Sequence, residues 1–310
     1  GLDEYRRYTT PDSMVHLWDV LVIEQAFCIP AQGAFINLKR GGFMDTKITV
    51  VDIKEMKARG EKIVMLTAYD YPTARILDQC GVEVLLIGDS VGNVMMGLEN
   101  TLPVTTDEII YHTRAVARGR KRALVVADMP FMSYQVSIGQ AKEEAGRLVK
   151  EGGAEAVKLE GGENVEEVIK SICDIDIPVM GHLGLTPQSI HRMGGYKVQG
   201  KEERQREKLL ADALAVERAG AFSLVLEAIP LKLAKEITET VKIPTIGIGA
   251  GLHCDGQVLV IHDLLGVGGK VRPKFVKQYA HLETDIARAV KAFRSDVKKD
   301  KFPTDKQSFH

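Results

Sequence analysis

Residues 85–93 read LLIGDSVGN, and two folds compete for them. Gly88-Asp89-Ser90-Val91-Gly92 fits G-x-S-x-G, the strand-to-helix elbow that presents the serine of a hydrolase. The alternative makes VLLI a buried parallel strand whose end carries Asp89. An elbow needs a helix directly after the serine, whereas NVMMGLENTLPVTT, with its glycine and proline, spells a long loop. Ser90 therefore reads as a hydrogen-bond donor to a substrate, and Asp89 as the residue that carries the motif.

Outward from this stretch the same kind of run recurs. Short apolar, β-branched segments lie at 63–69, 84–90, 123–129, 156–162, 178–184, 223–229, 244–250 and 256–266, with amphipathic patterns between most of them. Strands this uniformly apolar are expected where both sheet faces are covered. Eight such units predict a (β/α)8 TIM barrel, with a doubly wound sheet as the rival. Thr106-Asp107-Glu108 opens one helix behind a plausible cap, and the pattern GKEERQREKLLADALAVERAGA stops at Gly220. The 251–255 connection is too short for a helix, so the last unit is irregular or miscounted. VVDIKEMKARG (50–60) is expected to plug the barrel bottom, and the pattern at 273–296 to close the outer ring.

Bulk properties narrow the function. The 310-residue chain is 45% hydrophobic and 27% charged, with a formal net charge of −1 and no basic stripe interleaved with aromatics, which argues against nucleic acid. Cys28, Cys80, Cys173 and Cys254 are widely spaced, without the pairs of a zinc site, and suit a reducing compartment. No apolar run approaches membrane-spanning length and the start lacks a secretory pattern, so a cytoplasmic location without membrane contact is expected.

In such a barrel chemistry lies at the C-terminal strand ends. Those ends carry Asp89, Asp128, Glu160, His182 and Glu227, with Lys158 two residues before Glu160 and so on the same side of its strand. Clustered carboxylates repel one another unless a counter-charge joins them, and oxygen-only ligands favour Mg²⁺. His182 is open between a base, a substrate donor and a satisfied polar group. His112 reads as structural. Gly247-Ile248-Gly249-Ala250-Gly251 is a weak phosphate-cradle signal that tight turns explain as well, and His253-Cys254-Asp255 reads as a loop.

GDSVGNVMMG, TLPVTTDEIIYHT, ADMPFMSY, AVKLEGG, GHLGLTPQS, GGYKVQG, LVLEAIP, IPTIGIGAG and CDGQVLVIHDLLG occur in one order over roughly residues 44 to 285. In that set and order the chain resembles the ketopantoate (3-methyl-2-oxobutanoate) hydroxymethyltransferase family. The resemblance implies a TIM barrel of the phosphoenolpyruvate/pyruvate type. It implies Mg²⁺ as cofactor, 5,10-methylenetetrahydrofolate as co-substrate, and 2-dehydropantoate as a product made for pantothenate and coenzyme A. It further implies that Asp89 and Asp128 bind the metal, with Glu160 joining directly or through water. Ser90 and Lys158 would hold the 2-oxo acid and Glu227 would accept the proton. A homo-oligomer, a decamer by resemblance, is expected. The alternatives are a lyase or mutase of the isocitrate lyase or phosphonopyruvate type on the same barrel, and a non-catalytic binding barrel.

Residues 1–43 fall outside the resemblance. Lys39-Arg40-Gly41-Gly42-Phe43-Met44 can be encoded with a ribosome-binding sequence ahead of Met44, so a translated, dispensable leader is expected. The alternative is a true arm that packs Trp18 and its apolar neighbours on a partner subunit. The barrel is expected over 44–296 and a C-terminal tail over 297–310.

Overall fold

The computed structural model describes residues 46–195, 197–268 and 273–309; the segment 1–43, expected to be a leader, lies outside them. In chain order the elements are α1 (Val50–Arg59), β1 (Ile63–Thr67), α2 (Tyr71–Gln79), β2 (Val84–Ile87), α3 (Val91–Val94) and α4 (Thr106–Gly119). Then come β3 (Leu124–Asp128), α5 (Ile138–Arg147), β4 (Ala156–Glu160), α6 (Glu166–Cys173), β5 (Val179–Gly184) and α7 (Ile190–Met193). The chain continues through α8 (Glu203–Arg218), β6 (Ser223–Glu227), α9 (Leu231–Thr240), β7 (Thr245–Ile248), β8 (Gly256–Leu259), α10 (Ile261–Leu265) and α11 (Leu282–Lys298). All eight strands pair in parallel and in sequence order, and β8 closes on β1.

Side-chain alternation explains why the strands look continuously apolar. Ile63, Met65, Val84, Leu86, Leu124, Val126, Met180, Val225, Ile246 and Val258 form one cluster inside the barrel. Their neighbours Leu66, Leu85, Ile87, Val125, Val157, Leu159 and Leu226 point outward into the shell under the helices. α1 carries Ile53 and Met56 into the inner cluster, so it plugs the barrel as the sequence predicts. Its Lys57 donates to the Thr238, Val241 and Ile243 carbonyls and pairs with Asp255 at 3.0 Å, which anchors the plug. α4 starts at Thr106 behind a capping box of Thr105 and Glu108, and Gly220 follows α8 with φ 97°.

Three expectations are corrected. The strands stop two or more residues before most of the apolar runs do, and the eighth run divides into β8 and the short helix α10. A helical turn, α3, does begin directly after Ser90, because the local Val91–Val94 backbone closes its own hydrogen bonds before the loop starts. The absence of a helix therefore does not separate the two readings of the pentapeptide; the barrel topology does. Finally, α11 starts at Leu282 and has no buried residue, so the C-terminal pattern does not close the outer ring. The count of eight stands, with β7 and β8 joined by turns in place of a helix.

Candidate active site

Inward-facing positions alternate along each strand, so the parity that buries Val126, Ala156 and Met180 also turns Asp128, Lys158, Glu160 and His182 into the upper barrel. Asp128 is in register with Lys158, and Glu160 with His182. Asp89 lies beyond β2 and reaches the site through a turn. Gly88 permits that turn, since a Cβ there would meet Ser90 Oγ at 2.7 Å. The Asp89 amide then donates to Asp128 Oδ2 at 2.9 Å. Glu227 ends β6, opposite Gly184.

The groups form a continuous polar network. Lys158 Nζ lies 2.8 Å from Asp128 Oδ1 and 3.3 Å from His182 Nδ1. His182 Nδ1 lies 3.5 Å from Glu160 Oε1, and its Nε2 3.2 Å from Glu227 Oε2. Ser90 Oγ is 2.8 Å from the Tyr69 hydroxyl. All the residues expected at the site, Asp89, Ser90, Asp128, Lys158, Glu160, His182 and Glu227, line one cavity of about 750 Å³. His112 instead holds the Tyr69 carbonyl through Nδ1, a structural role. Gly247 lies within β7, and Gly249 and Gly251 form the turn after it, both at positive φ.

Burial sets the electrostatics. Asp89, Asp128, Lys158, Glu160 and His182 are each at most 6% exposed. Burial, followed by the charge of Glu160, raises Asp89 to about 6. Burial also raises Asp128, against the pull of Lys158. For Lys158 burial acts downward, but Asp128, Glu160 and Asp89 together outweigh it and hold the ammonium above its ordinary value. For His182, burial and Lys158 act downward, and hydrogen bonding to Glu160 and Glu227 overrides both, up to about 9.

Three buried carboxylates thus face two basic groups, an excess of one negative charge. Glu160 Oε1 is also buried, with His182 Nδ1 at 3.5 Å, too long for a strong hydrogen bond. Both features fit a cation. Among the described residues no group of three His, Cys, Asp or Glu side chains is arranged to hold a metal ion by itself. Asp89 and Asp128, with Glu160 directly or through water, would suit Mg²⁺, which keeps several waters and takes one or two carboxylates plus substrate oxygens.

Sequence reasoning missed three participants. Gln188 Nε2 donates to Asp89 Oδ2 at 2.9 Å, and its main-chain N–H donates to Glu160 Oε2 at 3.0 Å. Tyr134 donates to Gln188 Oε1, and Tyr69 meets Ser90. Each lies inside or beside a stretch already singled out, GHLGLTPQS, ADMPFMSY and IVMLTAY, but a loop glutamine or a strand-end tyrosine carries no pattern that marks it.

A family profile described as ketopantoate hydroxymethyltransferase matches residues 47–305. A protein of Geobacter metallireducens called 3-methyl-2-oxobutanoate hydroxymethyltransferase is 64% identical over 266 residues, covering 86% of this chain and all of the relative. One of the same name from Geobacter sulfurreducens is 63% identical over the same length and shares. Among solved structures, phosphonopyruvate hydrolase in complex with oxalate and Mg²⁺ superposes with a TM-score of 0.57 at 11% identity, over 85% of this chain and 92% of that one. A 2,3-dimethylmalate lyase, a member of the PEP mutase/isocitrate lyase superfamily, gives 0.53 at 13% identity, over 84% and 91%. At those identities the likeness speaks for the fold alone.

Proposed function

The chain belongs to the ketopantoate hydroxymethyltransferase family, and from that premise we propose that it transfers a hydroxymethyl group from 5,10-methylenetetrahydrofolate to 3-methyl-2-oxobutanoate. The observation that carries this reading is the convergence of Asp89, Asp128, Lys158, Glu160, His182 and Glu227 in one cavity of a chain so similar to named hydroxymethyltransferases. The net change replaces the C3 hydrogen of the 2-oxo acid by CH₂OH, with the oxygen from water and tetrahydrofolate leaving. The product, 2-dehydropantoate, serves pantothenate and coenzyme A synthesis.

Bound by Asp89 and Asp128, Mg²⁺ would supply positive charge where the ketone oxygen becomes enolate. The chain's own residues do the rest. Lys158, buried and cationic, adds charge beside the same oxygen. Ser90, backed by Tyr69, binds the oxo acid. Glu227 takes the C3 proton, and His182, 3.2 Å away, orients it. A cytoplasmic homo-oligomer belongs to the same proposal. The described Cys80, Cys173 and Cys254 are all free thiols, and no described helix is long and apolar enough to cross a membrane.

The test is deuterium exchange at C3 of 3-methyl-2-oxobutanoate in D₂O, followed by NMR without folate, alongside turnover with folate and Mg²⁺. Glu227→Gln should slow exchange by about 10²–10⁴-fold while leaving oxo-acid binding nearly unchanged. Exchange at the parental rate would remove Glu227 as the base. Full turnover after exhaustive EDTA would remove the metal, and turnover with no consumption of the folate would favour the lyase or mutase.

A further inference from the structure

Gln188 occupies the 3₁₀ turn Pro187–Ser189 that follows β5, and it is buried although its side chain and amide carry several polar functions. Every one of them is engaged. Nε2 donates to Asp89 Oδ2 at 2.9 Å and to the Met129 carbonyl at 3.0 Å. Oε1 accepts from the Tyr134 hydroxyl at 2.8 Å, and the main-chain N–H donates to Glu160 Oε2 at 3.0 Å. The Tyr134 hydroxyl in turn accepts from the Glu160 amide at 3.2 Å. These partners dictate which way the side-chain amide faces. Reversed, its carbonyl would confront the Asp89 carboxylate and the Met129 carbonyl, and Tyr134 would lose an acceptor.

A buried carboxylate that binds a cation must present the right oxygen, and free rotation about its last bond would spoil that. Gln188 ties down one oxygen of Asp89 and one of Glu160, and so leaves Asp89 Oδ1 and Glu160 Oε1 for other duties. Glu160 Oε1 faces His182 Nδ1 at 3.5 Å, too long for a strong hydrogen bond. We propose that Gln188, held by Tyr134, is a positioning residue that sets the orientation of Asp89 and Glu160 toward a divalent cation. The proposal rests on the metal-dependent reading above.

The probe is Mn²⁺, its binding followed by electron paramagnetic resonance on the full chain, with circular dichroism and thermal unfolding as folding controls. Gln188→Met keeps the size and the main-chain donor but removes the side-chain hydrogen bonds. It should weaken Mn²⁺ binding by about 10–100-fold, the usual range for loss of a partner to a metal ligand, with kcat largely restored at saturating metal. Tyr134→Phe, the mildest change, should act in the same direction and serves if Gln188→Met does not fold. A folded Gln188→Met or Tyr134→Phe chain that binds Mn²⁺ as the parent does overturns the positioning role alone. A parent chain that binds no Mn²⁺ overturns the metal reading and this proposal with it.

Discussion

Ser90 is the residue at which a hydrolase and a barrel enzyme part. A nucleophilic serine needs a base to take its proton. The hydrogen-bond partner of Ser90 is the Tyr69 phenol, which burial holds above its ordinary value and so keeps protonated. Ser90→Ala should therefore raise KM for the oxo acid and leave substantial turnover, the loss being about 1–3 kcal/mol of binding. Steady-state kinetics check this, and a collapse of kcat by several powers of ten would restore the nucleophile. At this scale much of the site was legible. Asp128, Lys158, Glu160 and His182 share the parity of the inner core, and a period of two residues is visible in any strand. Asp89 was found from its motif. Gln188 and Tyr134 were not, because their value lies in which distant atoms they reach, and no local period encodes that.

The C-terminal ends of β5 and β6 fix the distance between His182 and Glu227, and one glycine makes their approach possible. Gly184 has φ 96°, and a Cβ there would lie 2.1 Å from the Glu227 carbonyl oxygen, which already accepts from the Leu185 N–H at 2.8 Å. Gly184→Ala must push the two strand ends apart. It should cost about 1–3 kcal/mol of stability from the backbone conformation alone, and slow C3 exchange by more than the stability loss accounts for. The control is Gly146→Ala within α5, where an added Cβ meets nothing within 4 Å. That change should stabilise the fold by about 0.5–1 kcal/mol and leave activity alone. Urea unfolding and proton exchange on the two variants check the pair; equal effects at both sites would show that Gly184 has no special place. Apolar runs located all eight elements of the sheet but overran their ends, since residues such as Gly161 and Ala228 continue the run in composition while turning in backbone, with positive φ.

At the scale of the whole molecule the least legible feature is where α11 goes. Its sequence repeats apolar residues at helical spacing, Ile286, Val290, Phe293 and Val297, and that period says only that some surface will cover them. These four are 47%, 58%, 57% and 43% exposed, and Phe293 meets Phe302 edge to face. The barrel has a matching deficiency. β1 and β8 each expose a residue, Val64 and Gln257, where the other six strands are buried or nearly so. A groove of about 540 Å³ runs past that seam, lined by Val64, Leu252 and Gln257 among others. A (β/α)8 barrel ordinarily covers each strand with a helix, and among the described residues the β1–β8 seam and the apolar face of α11 are both left partly exposed. In the homo-oligomer of the proposed function, both needs would be met if α11 of one copy lay on the seam of a second. Full burial of an exposed apolar side chain is worth about 1.5–3 kcal/mol, and these four, already about half covered, would each contribute about half of that. Phe293→Glu combined with Val290→Glu should therefore leave the barrel folded and reduce the particle mass measured by light scattering after size exclusion. Val64→Glu, which alters the seam and leaves the helix intact, should do the same. A parent chain that runs as a monomer, or variants that keep the parental mass, would show that α11 does not join one copy to the next.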